Sequence, residues 1–316
     1  MLLHTEGAKG AELIKVGGQA VIEGIMMRAP KTLTIVVRKP DGQLSVREDR
    51  WYSPMERWPV LKKPFLRGCI VLYEALFNGI QALSFSAQEA VGEEEEKLSP
   101  WALGGTILFA IGAALALFVV IPHLATLGMG VLFGKDLTVK SLWFHVIDGV
   151  IKVTIFVGYI YAISLMKEIR RVFQYHGAEH KSIHAYEQGD DLTVENARKY
   201  PTLHARCGTA FIMLVLLVSI FLFSLVFPFF PNDLFGNKIA TNLFFIAIKM
   251  CLLLPIAGFS YELIRFGERV RNPLLDVVLK PGLLLQRLTT REPSDDQIEV
   301  ALVALKRTLE RERGWA

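Results

Sequence analysis

Ala210-Phe211-Ile212-Met213-Leu214-Val215-Leu216-Leu217-Val218-Ser219-Ile220-Phe221-Leu222-Phe223-Ser224-Leu225-Val226-Phe227-Pro228-Phe229-Phe230 runs for 21 residues without a charged side chain. A hydrocarbon layer about 30 Å thick takes about 20 helical residues to cross, so this run by itself predicts a membrane span. Comparable runs stand at Trp101 to Phe133, Leu142 to Met166 and Ile239 to Leu263, which makes four expected spans. The first is long and contains Pro122 and His123, which predicts a bend, a tilt or a short interfacial helix at its end.

Composition points the same way. Of 316 residues 52% are hydrophobic and 21% charged, so the charge has to be segregated into polar segments outside the spans. The short connections Gly134 to Ser141 and Pro231 to Lys238 carry Lys135, Lys140 and Lys238, offset by Asp136 and Asp233. The other polar segments hold Lys167, Arg170, Arg171, Lys181, Arg198, Lys199, Arg265, Arg269 and Arg271. That asymmetry predicts a multi-pass protein of the bacterial cytoplasmic membrane with both termini in the cytoplasm. The net charge of +4 is modest and is not gathered with aromatics into a stripe, which argues against nucleic acid as a partner. Membrane lipids and amphiphilic or membrane-associated substrates are the expected partners. Met1 to Gly18 contain no apolar core of a secretory signal, and Cys69, Cys207 and Cys251 are too few and too scattered for a disulfide framework.

The expected architecture is mainly α, a polytopic helical bundle with a small N-terminal cytoplasmic β-hairpin and amphipathic interfacial helices. Thr32 to Arg38, the turn Pro40-Asp41-Gly42 and Gln43 to Arg47 read as strand, turn and strand. Phe65 to Ala90 is apolar but interrupted by Arg67, Glu74 and Asn78, which suits an interfacial or bundle-packed helix, with a fifth span as the alternative. Glu93 to Glu96 reads as a solvated linker, and Asn272 to Leu288, broken by Pro273 and Pro281, as an interfacial segment. Pro293-Ser294-Asp295-Asp296 caps a last helix whose Ile298, Ala301, Leu302 and Leu305 form an apolar stripe. The chain thus divides into 1–63, 64–98, the bundle 99–266 with a His-rich cytoplasmic insertion at 167–205, and 267–316.

The chemistry is concentrated in that insertion. Tyr175-His176-Gly177-Ala178-Glu179-His180-Lys181-Ser182-Ile183-His184-Ala185-Tyr186-Glu187 holds three of seven histidines. At about 100° per residue, His180 falls about 40°, His184 about 80° and Glu187 about 20° from His176, so four ligand-type side chains share one face. Histidines four apart are separated by about 6 Å along the axis, whereas His176 and His184 are about 12 Å apart, so His180 belongs to either pair. The segment also reads H-x-x-E-H, in which two histidines hold a metal and the glutamate, here Glu179, polarises the attacking water. The bland alternative is a polar helix whose histidines face solvent or carbonyls. Thr193 is the expected N-cap of a short helix ending near Tyr200, which turns the chain back and brings His204, Arg206 and Cys207 toward the motif. His204, Glu187, Glu262 and Cys207 compete to complete the site. Glu262 reads equally as an ion-pair partner of Arg265 or Arg269, Cys207 first as ordinary burial beside Gly208 and Thr209, and Arg206 as a headgroup contact. Near the N-terminus, Gly17 to Arg28 places Gln19, Glu23 and Arg28 among glycines, readable as a strand edge or as part of a site.

Gly17 to Arg28, the His176 to Glu187 segment, His204-x-Arg206-Cys207-Gly208-Thr209 and Pro281-Gly282-Leu283-Leu284-Leu285-Gln286-Arg287-Leu288-Thr289-Thr290-Arg291-Glu292-Pro293 together resemble the bacterial YqhQ-type membrane proteins over nearly the whole chain. Ala205 departs from the proline that follows the histidine in that pattern. The resemblance implies a family of unassigned chemistry regarded as metal-dependent enzymes, and it carries no catalytic residue over to this chain.

Three functions follow as expectations. The first is a metal-dependent hydrolase at the cytoplasmic face, with a divalent ion, zinc by its histidine ligands, on His176 and His180 and with Glu179 as base. The second is a metal or proton-coupled transporter using His176, His180, His184 and Glu187, against which stands the scarcity of ionisable residues in the spans beyond Lys152 and Lys249. The third is a non-catalytic scaffold that recruits soluble partners through the hairpin and the last helix, with a structural metal.

Overall fold

A computed structural model describes residues 13–90, 99–134, 137–204, 206–231, 234–270 and 273–314. Glu93 to Glu96, Lys135, Asp136, Ala205, Asp233 and Arg271 lie outside the described residues, as does the side chain of Arg269.

Four antiparallel strands form an N-terminal meander in chain order: β1 (Gly17–Val21), β2 (Gly24–Arg28), β3 (Thr32–Arg38) and β4 (Leu44–Arg50). The expected hairpin is β3–β4, with Ile35 opposite Arg47. Its turn closes as the residues require, Gly42 at φ 86° and the Asp41 carboxylate accepting the Gln43 N–H at 2.9 Å. The Gly17 to Arg28 stretch is a second hairpin, Gln19 opposite Met26, turning at Glu23 with φ 49°.

The sheet is covered on both faces, which is why six consecutive residues of β3 are buried instead of every second one. Ile25, Met27 and Val36 share a core with Ala178, Ala197 and Leu305 of three later helices, and Val21, Met26, Leu33, Ile35 and Val37 share one with Ala82 of the first long helix.

After the short α1 (Pro54–Arg57), α2 (Leu66–Glu89) runs along the sheet. Its polar groups face that side: buried Glu74 takes Arg28 at 2.5 Å and also the Ser53 hydroxyl. Its first turn meets α9, where Gly68 lies so close that an added Cβ would stand 2.8 Å from the Gly258 Cα. Small residues at this crossing let two backbones touch.

The long apolar helices follow: α3 (Pro100–Leu115), α4 (Ile121–Leu132), α5 (Leu142–Ser164), then α6 (Lys167–Gln188), α7 (Val194–Arg198), α8 (Gly208–Val226), α9 (Lys238–Arg269), α10 (Pro273–Thr289) and α11 (Asp295–Gly314). Among the described residues, five stretches are long and apolar enough to cross a membrane: Leu66–Glu89, Gly104–Leu132, Leu142–Ser164, Gly208–Phe229 and Lys238–Gly267. The expected irregularity of the first run is a π-turn at Ala116–Val120 joining α3 to α4. Pro122 has no N–H to offer the Phe118 carbonyl one turn back, so the hydrogen-bond ladder slips there. Phe144, Leu214, Phe223, Phe227 and Phe245 fill the bundle between α5, α8 and α9.

The segment after α9 that reads as broken is a continuous helix, α10, that packs on α8, Gly282 against Ala210. The apolar stripe of the last helix is used within the chain: Ile298, Ala301, Leu302 and Leu305 are at most 4% exposed because α11 lies on the sheet and α6. The first and last segments of the chain therefore share one core with the His-rich insertion.

Candidate metal centre

α6 carries the histidine segment and stops at Gly189, whose φ of 77° makes a left-handed cap. Thr193 caps α7, as expected, by accepting the Asn196 N–H at 3.3 Å. Buried Lys181 then donates to the carbonyls of Arg198 and Tyr200 at 3.0 and 2.8 Å and pins the return segment beside α6. Gln286 of α10 fixes its other end, accepting the His204 N–H and donating to the His204 carbonyl, both at 2.8 Å. The consequence is that Thr202, Leu203, His204 and Cys207 lie against the histidine face.

Two ligand groups result. The nitrogens of His176 and His180 and the sulfur of Cys207 lie within 4.8 Å of one another, and so do ligand atoms of His184, Glu187 and His204. The predicted pairing of His176 with His180 is present, with ring centroids 4.4 Å apart, and Cys207 joins them although its first reading was burial alone. His184 instead pairs with His204, at 4.6 Å between centroids.

Hydrogen bonds separate the two groups chemically. A carbonyl only accepts, so His176 Nδ1 must donate to Thr289 O at 2.8 Å and His180 Nδ1 to Thr202 O at 2.5 Å. His176 then turns its Nε2 toward Cys207 and His180 brings a ring atom into the same group, the arrangement of metal-binding histidines whose orientation a backbone carbonyl fixes. His176 Nε2 is 3.1 Å from Cys207 Sγ, where two ligands about 2.0 and 2.3 Å from one tetrahedral ion stand roughly 3.5 Å apart. In the second group His204 and Glu187 are engaged with each other and with Arg206. His204 Nδ1 accepts the Arg206 N–H at 3.2 Å and its Nε2 faces Glu187 Oε2 at 3.4 Å, while Glu187 Oε1 pairs with Arg206. His184 Nε2 donates to the Leu203 carbonyl at 2.9 Å. The Arg206 side chain, 41% exposed, thus pairs with Glu187.

Glu179 is 5% exposed, has one oxygen without a hydrogen-bond partner, and rests on Gly18 of β1. A Cβ at Gly18 would stand 2.8 Å from the Glu179 carboxyl carbon, so only glycine fits there. Burial pushes the Glu179 carboxyl up to about 8, against a lowering influence from His176 and the Gly18 amide. Burial also drives His180 well below its ordinary 6.5 and raises the Cys207 thiol. Burial thus favours the uncharged forms of Glu179, His180 and Cys207. A dication is what would favour the thiolate and the carboxylate there.

The remaining candidates are elsewhere. Glu262 belongs to neither ligand group: it pairs with Arg67 of α2, whose Nε lies at 2.6 Å, and accepts the Phe65 N–H at 3.3 Å, so its ion-pair reading is met by Arg67, with Arg265 as a further positive charge nearby. Gln19 wedges its amide against Gly79 of α2. Glu23 forms a two-pronged pair with Arg171 at 2.5 Å and accepts from the Tyr175 hydroxyl at 3.3 Å. Arg28 joins Glu74 and stacks over Trp51 at 5.0 Å. All three hold the sheet to its neighbours. Sequence reasoning missed Gly18, Thr202, Gln286 and Thr289; the last two stand in a motif already quoted for its resemblance, but their contacts are made by backbone atoms and by residues 82 or more positions away.

Comparison with known proteins yields a consistent relationship without a function. A 35% identity over 312 residues, 93% of this chain and 92% of the relative, links it to the "Uncharacterized protein YqhQ" of Bacillus subtilis (strain 168). No solved structure matches. The family model that matches residues 63–311 is described as "Protein of unknown function (DUF1385)", which lends no support to the metal-dependent activity that the resemblance implied. The match covers most of the chain, including α6, the return segment and α10, and on that ground the protein belongs to the DUF1385 family.

Proposed function

We propose that this chain is a membrane-bound, metal-dependent hydrolase whose centre is the His176, His180 and Cys207 trio. The observation that carries the reading is the convergence of ligand atoms of two histidines and one cysteine, each histidine anchored to a backbone carbonyl through Nδ1, beside a buried carboxyl that keeps one oxygen unpaired. Three protein ligands with a fourth position open is the pattern of catalytic and not structural zinc. An ion held there activates water at neutral pH. Glu179 is the group placed to take a proton from that water and return it to the leaving group. The His184, Glu187, His204 and Arg206 set acts as a hydrogen-bonded brace for the return segment. The substrate class that suits a site between a cytoplasmic body and a bundle is an amphiphile or membrane-associated molecule.

The same reading takes four spans, α3–α4, α5, α8 and α9, with both termini and the metal centre on the cytoplasmic side of a bacterial plasma membrane. It leaves α2 as an interfacial helix, supported by the sheet residues packed on its second half.

Metal analysis of detergent-purified full-length protein tests the centre. His180→Ala and Cys207→Ala should each strip most of the bound metal, whereas Glu179→Gln should retain it and abolish hydrolysis. Wild-type metal content in both ligand variants would sink the assignment, and loss of metal in Glu179→Gln would make Glu179 a ligand.

A further inference from the structure

A second charged cluster lies inside the bundle, on helices the proposed chemistry does not use. Asp148 and Lys152 stand one turn apart near the middle of α5, and Lys249 faces them from α9; the three are 1%, 5% and 1% exposed. Both ammonium groups converge on Asp148 Oδ2, Lys249 at 3.0 Å and Lys152 at 3.2 Å. Two cations therefore share one carboxylate, whose Oδ1 has no hydrogen-bond partner.

Nothing polar nearby supplies the missing negative charge among the described residues. His123 contacts the Asn242 amide oxygen at 3.1 Å, His145 the Val139 carbonyl at 2.7 Å, and the Ser219 hydroxyl donates to the Leu216 carbonyl at 2.7 Å. The faces of Phe144 and Phe223 lie 5.3 and 5.5 Å from Lys249 Nζ, and that of Phe223 lies 5.2 Å from Lys152 Nζ. Ring faces attract a cation but do not neutralise it. Buried ionisable groups at this depth are costly unless paired and mark ligand or ion sites by default.

Both lysines form part of the wall of a cavity of about 270 Å³ between α3, the π-turn, α5, α8 and α9. Apart from Ser219 the rest of that wall is hydrocarbon, including Leu115, Phe118, Val119 and Leu253, and Ile111 in it is 49% exposed. The π-turn that Pro122 forces on the first span thus lends Phe118 and Val119 to the lining, and such turns recur at functional sites. The volume is just under the roughly 300–1,000 Å³ of whole-ligand pockets, so the cavity suits a headgroup and the first part of a chain whose remainder passes between helices.

We propose that this cavity binds the anionic head of an acyl amphiphile, a carboxylate or a phosphate group, with Lys249 and Lys152 as its counter-charges and the apolar wall around the start of its chain. The site is independent of the cytoplasmic trio, and its test does not involve metal or hydrolysis.

Full-length protein in detergent is titrated with dansyl-undecanoic acid and with the matching alcohol. The acid should bind saturably and at least tenfold more tightly than the alcohol. Lys249→Met should weaken the acid at least tenfold while keeping the melting temperature, because the Lys152–Asp148 pair that remains is neutral; Lys152→Met, which leaves the Lys249–Asp148 pair, serves as the second variant. Displacement at lower concentration by palmitic acid than by palmitoyl lysophosphatidic acid identifies a carboxylate site, and the reverse order a phosphate site; both support the proposal. Equal binding of acid and alcohol, unchanged affinity in both variants, or displacement by acetate or inorganic phosphate as effective as by the amphiphiles overturns it.

Discussion

At the scale of single residues, the strongest electrostatic statement concerns Glu179. Its carboxyl titrates near 8 in the folded, metal-free protein instead of near 4.5, because burial disfavours the charged form. The folded state then holds a proton that the unfolded state releases, so the stabilisation is complete below about 4.5 and is lost as pH rises through about 8. Metal-free protein should therefore lose up to about 1.4 kcal/mol of stability per pH unit across that window, measured by chemical denaturation at several pH values. Glu179→Gln should flatten the dependence, and an unchanged slope in that variant would place the titrating group elsewhere. Cys207 teaches a related lesson. Beside Gly208 and Thr209 at the start of an apolar run it reads as a buried hydrophobe, and it is buried, but its sulfur also caps α8 and meets His176. One side chain satisfies both descriptions, and sequence pattern registers only the first.

At the scale of elements, periodicity was a good guide to which residues share a face and a poor guide to what that face meets. The α6 face was legible as a stack of imidazoles, yet the stack divides between two groups because the return segment supplies Cys207 at one end and His204 at the other. The α11 stripe was equally legible, but it could be assigned to a partner only because the sheet that covers it lies more than 250 residues earlier. The α2 helix shows the same ambiguity in apolar composition: it satisfies the length and hydropathy of a span while burying Glu74 and Asn78 and covering the sheet with Ala82. Its placement is open to a direct measurement. Cysteines introduced by Lys62→Cys at an exposed position before α2 and by Phe235→Cys in the α8–α9 connection should respond differently to a membrane-impermeant maleimide. Phe235→Cys should label in intact cells, and Lys62→Cys only after permeabilisation. Labelling of both from outside would make α2 a fifth span.

At the scale of the whole molecule, α10 is the piece that ties the body formed by the sheet, α6 and α11 to the bundle. It packs on α8 through Gly282, buries Leu285 against Phe156 and Met213, holds His204 from both sides with Gln286, and gives the Thr289 carbonyl to His176. Gln286→Ala leaves every ligand in place but frees the return segment, so metal affinity should fall by about 10–100-fold, the usual cost of losing a group that orients a ligand. Competition with a chelator of known affinity measures it, and an unchanged affinity would mean that α10 does not position the centre. The sequence by itself determined what depends on local order: the long apolar runs, the Pro122 irregularity, the β3–β4 turn, the cap at Thr193 and the angular stack of His176, His180, His184 and Glu187. Those follow from the length of a bilayer crossing and the pitch of a helix, which neighbouring residues set among themselves. Only the tertiary structure decided that Glu262 serves Arg67, that Gly18 makes room for Glu179, that Asp148 stands between Lys152 and Lys249, and that Cys207 completes the histidine pair. Each of these is a meeting of side chains whose separation along the chain is unrelated to their distance in space, fixed by the way the sheet, α6, α8, α9 and α10 bury their apolar faces against one another.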